Sequence, residues 1–304
     1  MVFSFIIPCY NEEENIRPMY DEINKVFSSC DFEYEMVFVN DGSVDGTAKE
    51  IKKLVKDGSA KVIFLDFSRN FGKEAAIFAG LENCNGDFAA IIDGDLQQPP
   101  EVAHEMLKIM LDRPDCDCVC AYQEKRIEKS FISFLKKSFY KVINKLTDVN
   151  FVSDASDFRV MRRNMIDAIL SMKEGVRFSK GIFAWVGFHT VFIPYRARER
   201  RAGKTKWNMR SLFKYAFDGI VSFSAKLLKI PGWLSLMSFA AAIAFLIVRT
   251  CMGGFNEVSM AIFVMLFMSG VLLFGLSIAC VYLNRSYTES KHRPIYVLRE
   301  KDQN

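Results

Sequence analysis

An alternation of strand-like and helix-like segments over the first 122 residues constrains the fold of this chain most strongly. Apolar, β-branched or aromatic runs predict five strands, at 2–8, 34–40, 61–67, 88–93 and 116–122. Segments with a helical period lie between them, at 13–27, 47–56, 73–84 and 100–111. This alternation predicts parallel βαβ units, and therefore an α/β fold with a mainly parallel sheet covered on both faces.

Polar residues cluster where the first four predicted strands end, at 9–12, 40–43, 66–70 and 93–95. Ligands of open α/β sheets bind outside the carboxyl ends of the strands. The sequence therefore predicts a ligand site at this edge of the sheet.

Two carboxylates separated by a glycine, Asp93 and Asp95, follow the fourth predicted strand. Gly94 tolerates backbone angles that turn both side chains toward one hard cation. We expect Mg²⁺ or Mn²⁺ here, with Gln97 as a further oxygen ligand and open positions for diphosphate oxygens. The alternative is a surface loop in which the D-x-D pattern occurs by chance.

A segment near the C-terminus, 230–283, contains only two charged residues, Arg249 and Glu257. It falls into two apolar runs, 230–248 and 258–283, separated by a turn-rich loop. Since about 20 residues cross a bilayer, we expect a hairpin of two transmembrane helices. A buried helical hairpin of a large soluble domain is the alternative. Bases flank the segment on both sides, so the positive-inside rule places both termini in the cytosol.

The N-terminal region lacks the pattern of a signal peptide. We therefore expect residues 1–208 to form a cytosolic domain of an integral protein of the cytoplasmic (inner) membrane, with 284–304 as a cytosolic tail. Two basic segments, 122–146 and 196–214, lie in an otherwise acidic domain. That distribution favours docking on an anionic membrane over binding to nucleic acid.

One helical pattern in the first basic segment, 129–146, has an apolar face and many lysines. It predicts an amphipathic helix at the membrane interface, and an amphipathic helix packed on the domain is the alternative. The stretch 209–229 is expected to be a juxtamembrane helix.

Several motifs together carry a resemblance to a known family. They occupy 8–12, 39–47, 70–76, 93–101, 157–160, 200–207, 218–224 and 292–296. In this order they resemble the family 2 inverting glycosyltransferases of the GT-A fold. Within that family the chain is similar to the polyprenyl-phosphate glycosyltransferases, the group of bactoprenol glucosyltransferase and dolichol-phosphate mannose synthase. The resemblance covers nearly the whole chain.

The resemblance implies a nucleotide-sugar site. Residues expected to contact the donor are Pro8, Tyr10, Glu12, Asp41, Lys73, Asp93 and Gly94. A carboxylate can accept hydrogen bonds from a base or a ribose, and an aromatic ring offers a stacking face. Alternatives remain: residues 11–14 begin a helix, Asp41 is a turn residue, and Lys73 is solvated.

Asp157 matches the position usually proposed as the catalytic base, and Asp95 is expected to act in catalysis through the metal. A phosphate monoester has a second pKa of about 6, so a lipid phosphate acceptor already carries a nucleophilic oxygen. Our hypothesis is that Asp157 mainly orients the acceptor or a sugar hydroxyl. The alternative is a structural pair with Arg159 or Arg162.

A cluster of bases and a hydroxyl is expected to hold the acceptor phosphate: Arg200, Lys204, Thr205, Lys206 and Arg126. Arginine suits bidentate contact with phosphate. The alternative is a membrane-surface patch without a specific ligand.

The expected reaction is metal-dependent, inverting transfer of a sugar from a nucleotide sugar, with a UDP-hexose favoured, to undecaprenyl phosphate at the cytoplasmic leaflet. A processive polysaccharide synthase and a non-catalytic nucleotide-sugar-binding membrane scaffold are the alternatives. The resemblance also implies a homo-oligomer, a tetramer.

Overall fold

The computed structural model describes residues 1–124, 155–175, 177–198, 237 and 257–304. Eight strands lie in these residues: β1 (Val2–Cys9), β2 (Glu33–Asn40), β3 (Lys61–Phe67), β4 (Phe88–Ile91), β5 (Cys118–Gln123), β6 (Ala155–Arg162), β7 (Thr190–Tyr195) and β8 (Leu298–Gln303). They form a single sheet with the order β7-β5-β6-β4-β1-β2-β3-β8.

Seven helices lie in the same described residues: α1 (Glu13–Phe27), α2 (Thr47–Asp57), α3 (Lys73–Asn83), α4 (Pro100–Asp112), α5 (Arg163–Ser171), α6 (Ser179–Trp185) and α7 (Glu257–Ser290). The first four match the helices predicted from the sequence to within one residue at each end. Glycine ends α2 as expected, since Gly58 takes a left-handed conformation with φ of 66°.

The centre of the sheet is parallel. Strand β1 pairs in parallel with β2 and β4, and β2 pairs in parallel with β3. Strand β6 then pairs antiparallel with β4 and β5, and β8 pairs antiparallel with β3. The α/β part of the predicted fold class is therefore confirmed, but the sheet is mixed.

Apolar residues cover both faces of the sheet, as the sequence predicted. On β1, Phe3, Phe5 and Ile7 lie in one core, and Ile6 lies in the other. Successive side chains of a strand point to opposite faces, so this alternation divides the core into two layers. Helices α1, α2 and α4 pack on the first layer, and α3 and α5 pack on the second.

The predicted two-helix transmembrane hairpin is wrong. Across the described ranges of the chain, none of the helices combines the length and the hydropathy that a bilayer crossing requires. The prediction relied on the length of two nearly uncharged apolar runs. The run 258–283 lies within the described helix α7, which continues past it through Arg285 and Glu289. The end of α7 lies against the domain, since the Glu289 carboxylate accepts a hydrogen bond from the Gly175 amide at 2.9 Å.

Other predictions concern residues outside the described ranges. They are the amphipathic helix 129–146, the juxtamembrane helix 209–229 and the first apolar run, 230–248, in which only residue 237 is described. The domain limits proposed for these segments remain predictions.

Candidate active site

The loops that follow β1, β2, β3 and β4 meet at the carboxyl edge of the sheet. The loops after β1 and β2 are joined by side chain to backbone hydrogen bonds. The Asn11 amide donates to the Ser43 hydroxyl at 2.9 Å, and the Glu12 amide donates to the Thr47 hydroxyl at 2.9 Å. These bonds hold Tyr10, whose surface is 36% exposed, at the open edge of the site.

Glu12 immediately precedes α1, which begins at Glu13, and its side chain makes no capping hydrogen bond to the first turn of that helix. Its carboxylate accepts a hydrogen bond from the Asn15 side-chain amide at 2.6 Å. One carboxylate has several lone pairs, so this contact is compatible with a second one to a ligand.

Asp41 is buried and joins the loop after β2 to the loop after β3. Its carboxylate accepts hydrogen bonds from the Phe71 amide at 2.6 Å and from the Gly72 amide at 3.0 Å. Burial raises the pKa of Asp41, although the two amides oppose that shift. Gly42, with φ of 64°, permits this approach, because a Cβ there would lie 2.3 Å from the Arg69 carbonyl carbon. Asp41 is therefore more than a turn residue.

Gly94 lets the loop after β4 pack closely against the end of β1. A Cβ at this position would lie 3.3 Å from the Pro8 carbonyl oxygen. The neighbouring Asp95 carboxylate accepts a hydrogen bond from the Gln97 amide at 3.1 Å, and the Gln97 carbonyl accepts one from the Arg198 amide at 3.0 Å. The loop therefore presents Asp95 in a defined position.

Lys73 links two of the predicted carboxylates. Its ammonium nitrogen lies 2.6 Å from Asp93 Oδ1 and 2.8 Å from Asp157 Oδ2. The β4–β6 register explains the meeting, since Ile91 pairs with Arg159 and the antiparallel register then brings Asp93 opposite Asp157. Lys73 begins α3, and its ammonium group lies between the two carboxylates. The alternative of a solvated Lys73 does not describe this contact.

Burial and charge set the ionisation of this trio. Burial raises the pKa of Asp93. Burial acts in the same direction on Asp157, but the Lys73 and Lys180 ammonium groups outweigh it and hold the pKa of Asp157 well below its ordinary value. The two carboxylates in turn keep the pKa of Lys73 above its ordinary value, against the effect of burial. Lys73 and Asp157 therefore form an ionised pair at neutral pH.

Asp157 also has one buried oxygen, Oδ1, with no hydrogen-bond partner within the part of the chain that the structure describes. A buried acceptor without a partner is costly and marks a position that a ligand can satisfy. The alternative pairing of Asp157 with Arg159 or Arg162 differs from the contacts found. Arg159 donates to the Ser156 carbonyl and Arg162 donates to the Cys116 carbonyl.

The sequence missed three residues that support the trio. Gln98 fixes Asp93, with its Oε1 2.8 Å from the Asp93 amide and its Nε2 3.2 Å from Asp93 Oδ2. Glu74, next to Lys73, accepts a hydrogen bond from the Ser179 amide at 2.9 Å and so fixes the start of α6 beside Lys180. Gln98 lies in the motif 93–101, but Lys180 carries no signal in the sequence that would separate it from a surface lysine.

The two carboxylates predicted to bind a divalent cation, Asp93 and Asp95, have different surroundings. Both Asp93 oxygens have partners, Lys73 and Gln98, and the metal-binding role predicted for Asp93 remains a prediction. Among the described residues, no group of three or more His, Cys, Asp or Glu side chains has the arrangement of a metal site. Asp95 fits a single protein carboxylate on a hard cation that takes its other oxygens from a bound diphosphate. The side-chain role predicted for Gln97 remains a prediction.

The predicted acceptor-phosphate residues all lie outside the described ranges: Arg126, Arg200, Lys204, Thr205 and Lys206. Arg198, just before that segment, pairs with Glu22 and Glu101 and lies at the side of α4.

Comparison with known proteins gives consistent results over the full length. Residues 4–170 match the family described as Glycosyl transferase family 2. The chain is 37% identical over 304 residues to the putative glycosyltransferase CsbB of Bacillus subtilis (strain 168), covering 98% of this chain and 92% of that protein. It is 37% identical over 316 residues to the bactoprenol glucosyl transferase of Shigella phage SfV, covering 100% of both.

A solved structure is also similar in shape. The mannosyl-3-phosphoglycerate synthase from Rubrobacter xylanophilus is 17% identical, with 72% of this chain and 71% of that chain covered and a TM-score of 0.49. At that level the likeness carries no argument about function.

Proposed function

Because this chain belongs to glycosyl transferase family 2 and is a glycosyltransferase, we propose that it moves a sugar from a nucleoside diphosphate sugar to a polyprenyl phosphate. The full-length match to a protein named bactoprenol glucosyl transferase is the observation that supports a polyprenyl phosphate as the acceptor. The contact of Lys73 with Asp93 and Asp157 at the carboxyl edge of the parallel strands supports a catalytic site there.

The donor lies across the loops after β1, β2 and β3 in this proposal. Pro8, Tyr10, Glu12 and Asp41 surround the nucleoside, and UDP-hexose is the favoured donor. Tyr10 is exposed at the edge and offers a ring face to the base. Asp41 lies beneath the base and holds the loop that the nucleotide contacts.

Asp95 would hold the divalent cation, Mg²⁺ or Mn²⁺, together with the donor diphosphate, and Gly94 lets the diphosphate approach the loop. The cation supplies electrostatic stabilisation of the negative charge that develops on the leaving diphosphate. Lys73 remains with Asp93 and Asp157, so its positive charge offsets part of the negative charge of those two carboxylates.

In the reaction an ionised oxygen of the lipid phosphate attacks the anomeric carbon as the bond to the diphosphate breaks. The nucleoside diphosphate leaves with the electron pair, and the configuration inverts. No proton has to leave the acceptor, because the phosphate is already ionised near neutral pH. In this proposal Asp157 orients the acceptor or a sugar hydroxyl, and its Oδ1, which has no hydrogen-bond partner among the described residues, supports a polar contact there.

An anionic Asp157 also repels an anionic acceptor, so the site needs cations nearby. Lys73 and Lys180 offset that repulsion from the protein side. The predicted cluster Arg126, Arg200, Lys204, Thr205 and Lys206 would clamp the acceptor phosphate. The acceptor is a membrane lipid, so we propose that the catalytic domain is cytosolic and works at the cytoplasmic surface of the membrane. The homo-oligomer implied by the family resemblance remains a prediction.

The test is a partition assay with the purified full chain, undecaprenyl phosphate, Mg²⁺ or Mn²⁺, and a panel of radiolabelled UDP- and GDP-sugars. Transfer of label from one donor into the organic phase supports the proposal and identifies the sugar. Release of label into water, or its entry into a growing polymer, would contradict it. Omission of the lipid phosphate serves as the control for hydrolysis.

A further inference from the structure

The segment that follows α7 returns to the catalytic sheet. Strand β8 pairs antiparallel with β3 at the edge of the sheet. Beyond that ladder, the Ser68 amide donates to the Val297 carbonyl at 3.0 Å, and Arg299 donates to the Ser68 carbonyl at 2.9 Å. The C-terminal segment is thus attached to the residue that follows β3, at the carboxyl edge where the site lies.

Tyr296, just before β8, begins a row of aromatic rings that leads toward Asp41. Its ring stacks on Phe67 with centroids 5.0 Å apart and an interplanar angle of 16°. Phe67 in turn meets Phe71 edge to face, with centroids 5.7 Å apart. The backbone amide of this same Phe71 donates to Asp41 at 2.6 Å. Three rings therefore connect the C-terminal segment to the buried carboxylate under the donor site.

The hydroxyl of Tyr296 is held separately from the ring. It donates to Glu82, and it accepts a hydrogen bond from the Asn83 side chain at 3.3 Å. Burial, with Glu82 beside it, raises the pKa of Tyr296 to about 12, so the hydroxyl stays neutral. These contacts lie at the end of α3, the helix that begins with Lys73. These hydrogen bonds orient the ring, and the ring contacts the loop through Phe67.

We propose that Tyr296 is a positioning residue for the nucleotide donor. Its ring supports Phe67 and Phe71, and this support keeps the Phe71 and Gly72 amides on Asp41 and the loop 67–72 in its binding position. The inference rests on the proposed function in one respect, that the ligand above Asp41 is a nucleotide. If Tyr296 had a purely structural role, replacing it would lower the free energy of unfolding. Nucleotide affinity and the hydrogen exchange of the loop amides would then be unchanged.

The test compares three variants of the full chain. Tyr296→Leu removes the stacked ring and keeps much of its apolar volume. Tyr296→Phe keeps the ring and removes the hydroxyl. Glu300→Gln is the matched control, because Glu300 lies on β8 but contacts the surface residue Lys52. Two quantities are measured: the affinity for UDP with Mn²⁺ by calorimetry, and hydrogen exchange of the Phe71 and Gly72 amides.

We expect Tyr296→Leu to bind UDP about three- to tenfold more weakly, the range of one aromatic pair, and to exchange the two amides faster. Tyr296→Phe restores most of both, and Glu300→Gln matches wild type. Wild-type UDP affinity together with unchanged exchange in Tyr296→Leu would overturn the proposal. If the wild-type chain itself binds no UDP, the donor assignment fails, and the exchange of these amides alone decides whether Tyr296 positions the loop.

Discussion

Replacement of Lys73 by Met removes the one positive group that lies between Asp93 and Asp157 in the described structure. Methionine keeps the length of the side chain and much of its packing. The three side chains are 35%, 30% and 16% exposed, for Lys73, Asp93 and Asp157 respectively. The variant therefore leaves two partly buried carboxylates facing each other without their counter-charge.

The size of the effect follows from the geometry. Each carboxylate oxygen lies within 2.8 Å of the Lys73 nitrogen, so the two oxygens lie within about 6 Å of each other. At an effective dielectric constant of about 20, two unit charges at that distance repel by roughly 3 kcal/mol. That repulsion is enough to raise the pKa of one of the two carboxylates well above its ordinary value. The two carboxylates then titrate as a coupled pair.

We expect Lys73→Met to lower turnover by at least ~10²-fold, because the positive charge between the two carboxylates is lost and their ionisation changes. Turnover is measured with saturating donor by release of nucleoside diphosphate, and circular dichroism checks the fold. Lys53→Met is the matched control, since Lys53 pairs with Glu50 on the exposed face of α2. Turnover of Lys73→Met within about threefold of wild type, with the fold intact, would refute the role given to the trio.

Four further results are expected. Asp157→Asn should lower turnover by ~10- to 10³-fold with nucleotide affinity retained, and a larger loss that high pH does not relieve would contradict the orienting role. Because the pKa of Asp157 is held below its ordinary value, its stabilising pair is fully present above about pH 4 and is lost as the pH falls through the lower folded-state pKa. Thermal melts of wild type should therefore show a decline on the acid side that is weaker in Asp157→Asn, and equal declines would count against the ion pair. Asp95→Ala should lower turnover by at least ~10²-fold and abolish the Mn²⁺ that binds together with UDP, as calorimetry would detect; Mn²⁺ binding equal to wild type would remove Asp95 from this role. Asp41→Ala leaves the Phe71 and Gly72 amides without their acceptor and should cost about 1–3 kcal/mol in denaturant unfolding, whereas an unchanged midpoint would show that those bonds do not stabilise the loop.

The parallel centre of the sheet was predictable because its strands and helices have clean periods. Phe3 and the run from Phe5 to Ile7 are apolar on both sides of the strand, a pattern that predicts a strand buried on both faces. The polar clusters at the strand ends then located the site, because parallel strands bring their carboxyl ends to one edge.

The contacts within the site were less predictable. Lys73 and Asp157 are separated by 84 positions along the chain and meet through the antiparallel register of β4 and β6. Strand β6 was not predicted, although Phe158 and Val160 alternate with polar residues in the pattern of a strand. The sequence therefore named both residues without indicating that they touch.

The C-terminal part of the chain was the least predictable. Strand β8 is rich in charge and has no continuous apolar side, so the segment has the composition of a tail. Its pairing with β3 depends on an edge that only the folded sheet provides. The transmembrane hairpin was predicted wrongly from two apolar runs of bilayer-spanning length, since no helix in the described part of the chain combines the length and hydropathy that a crossing requires.

The central claim is that the chain transfers a sugar to the phosphate oxygen of a polyprenyl phosphate with inversion. The most direct measurement is to incubate the purified chain with the α-linked UDP-hexose that the donor panel selects, Mn²⁺ and undecaprenyl phosphate, extract the lipid, and determine its mass and anomeric configuration by mass spectrometry and NMR. We expect one hexose per lipid in a β linkage to phosphate, absent with Lys73→Met. An α linkage, several hexoses per lipid, or the free hexose as the main product would contradict the account.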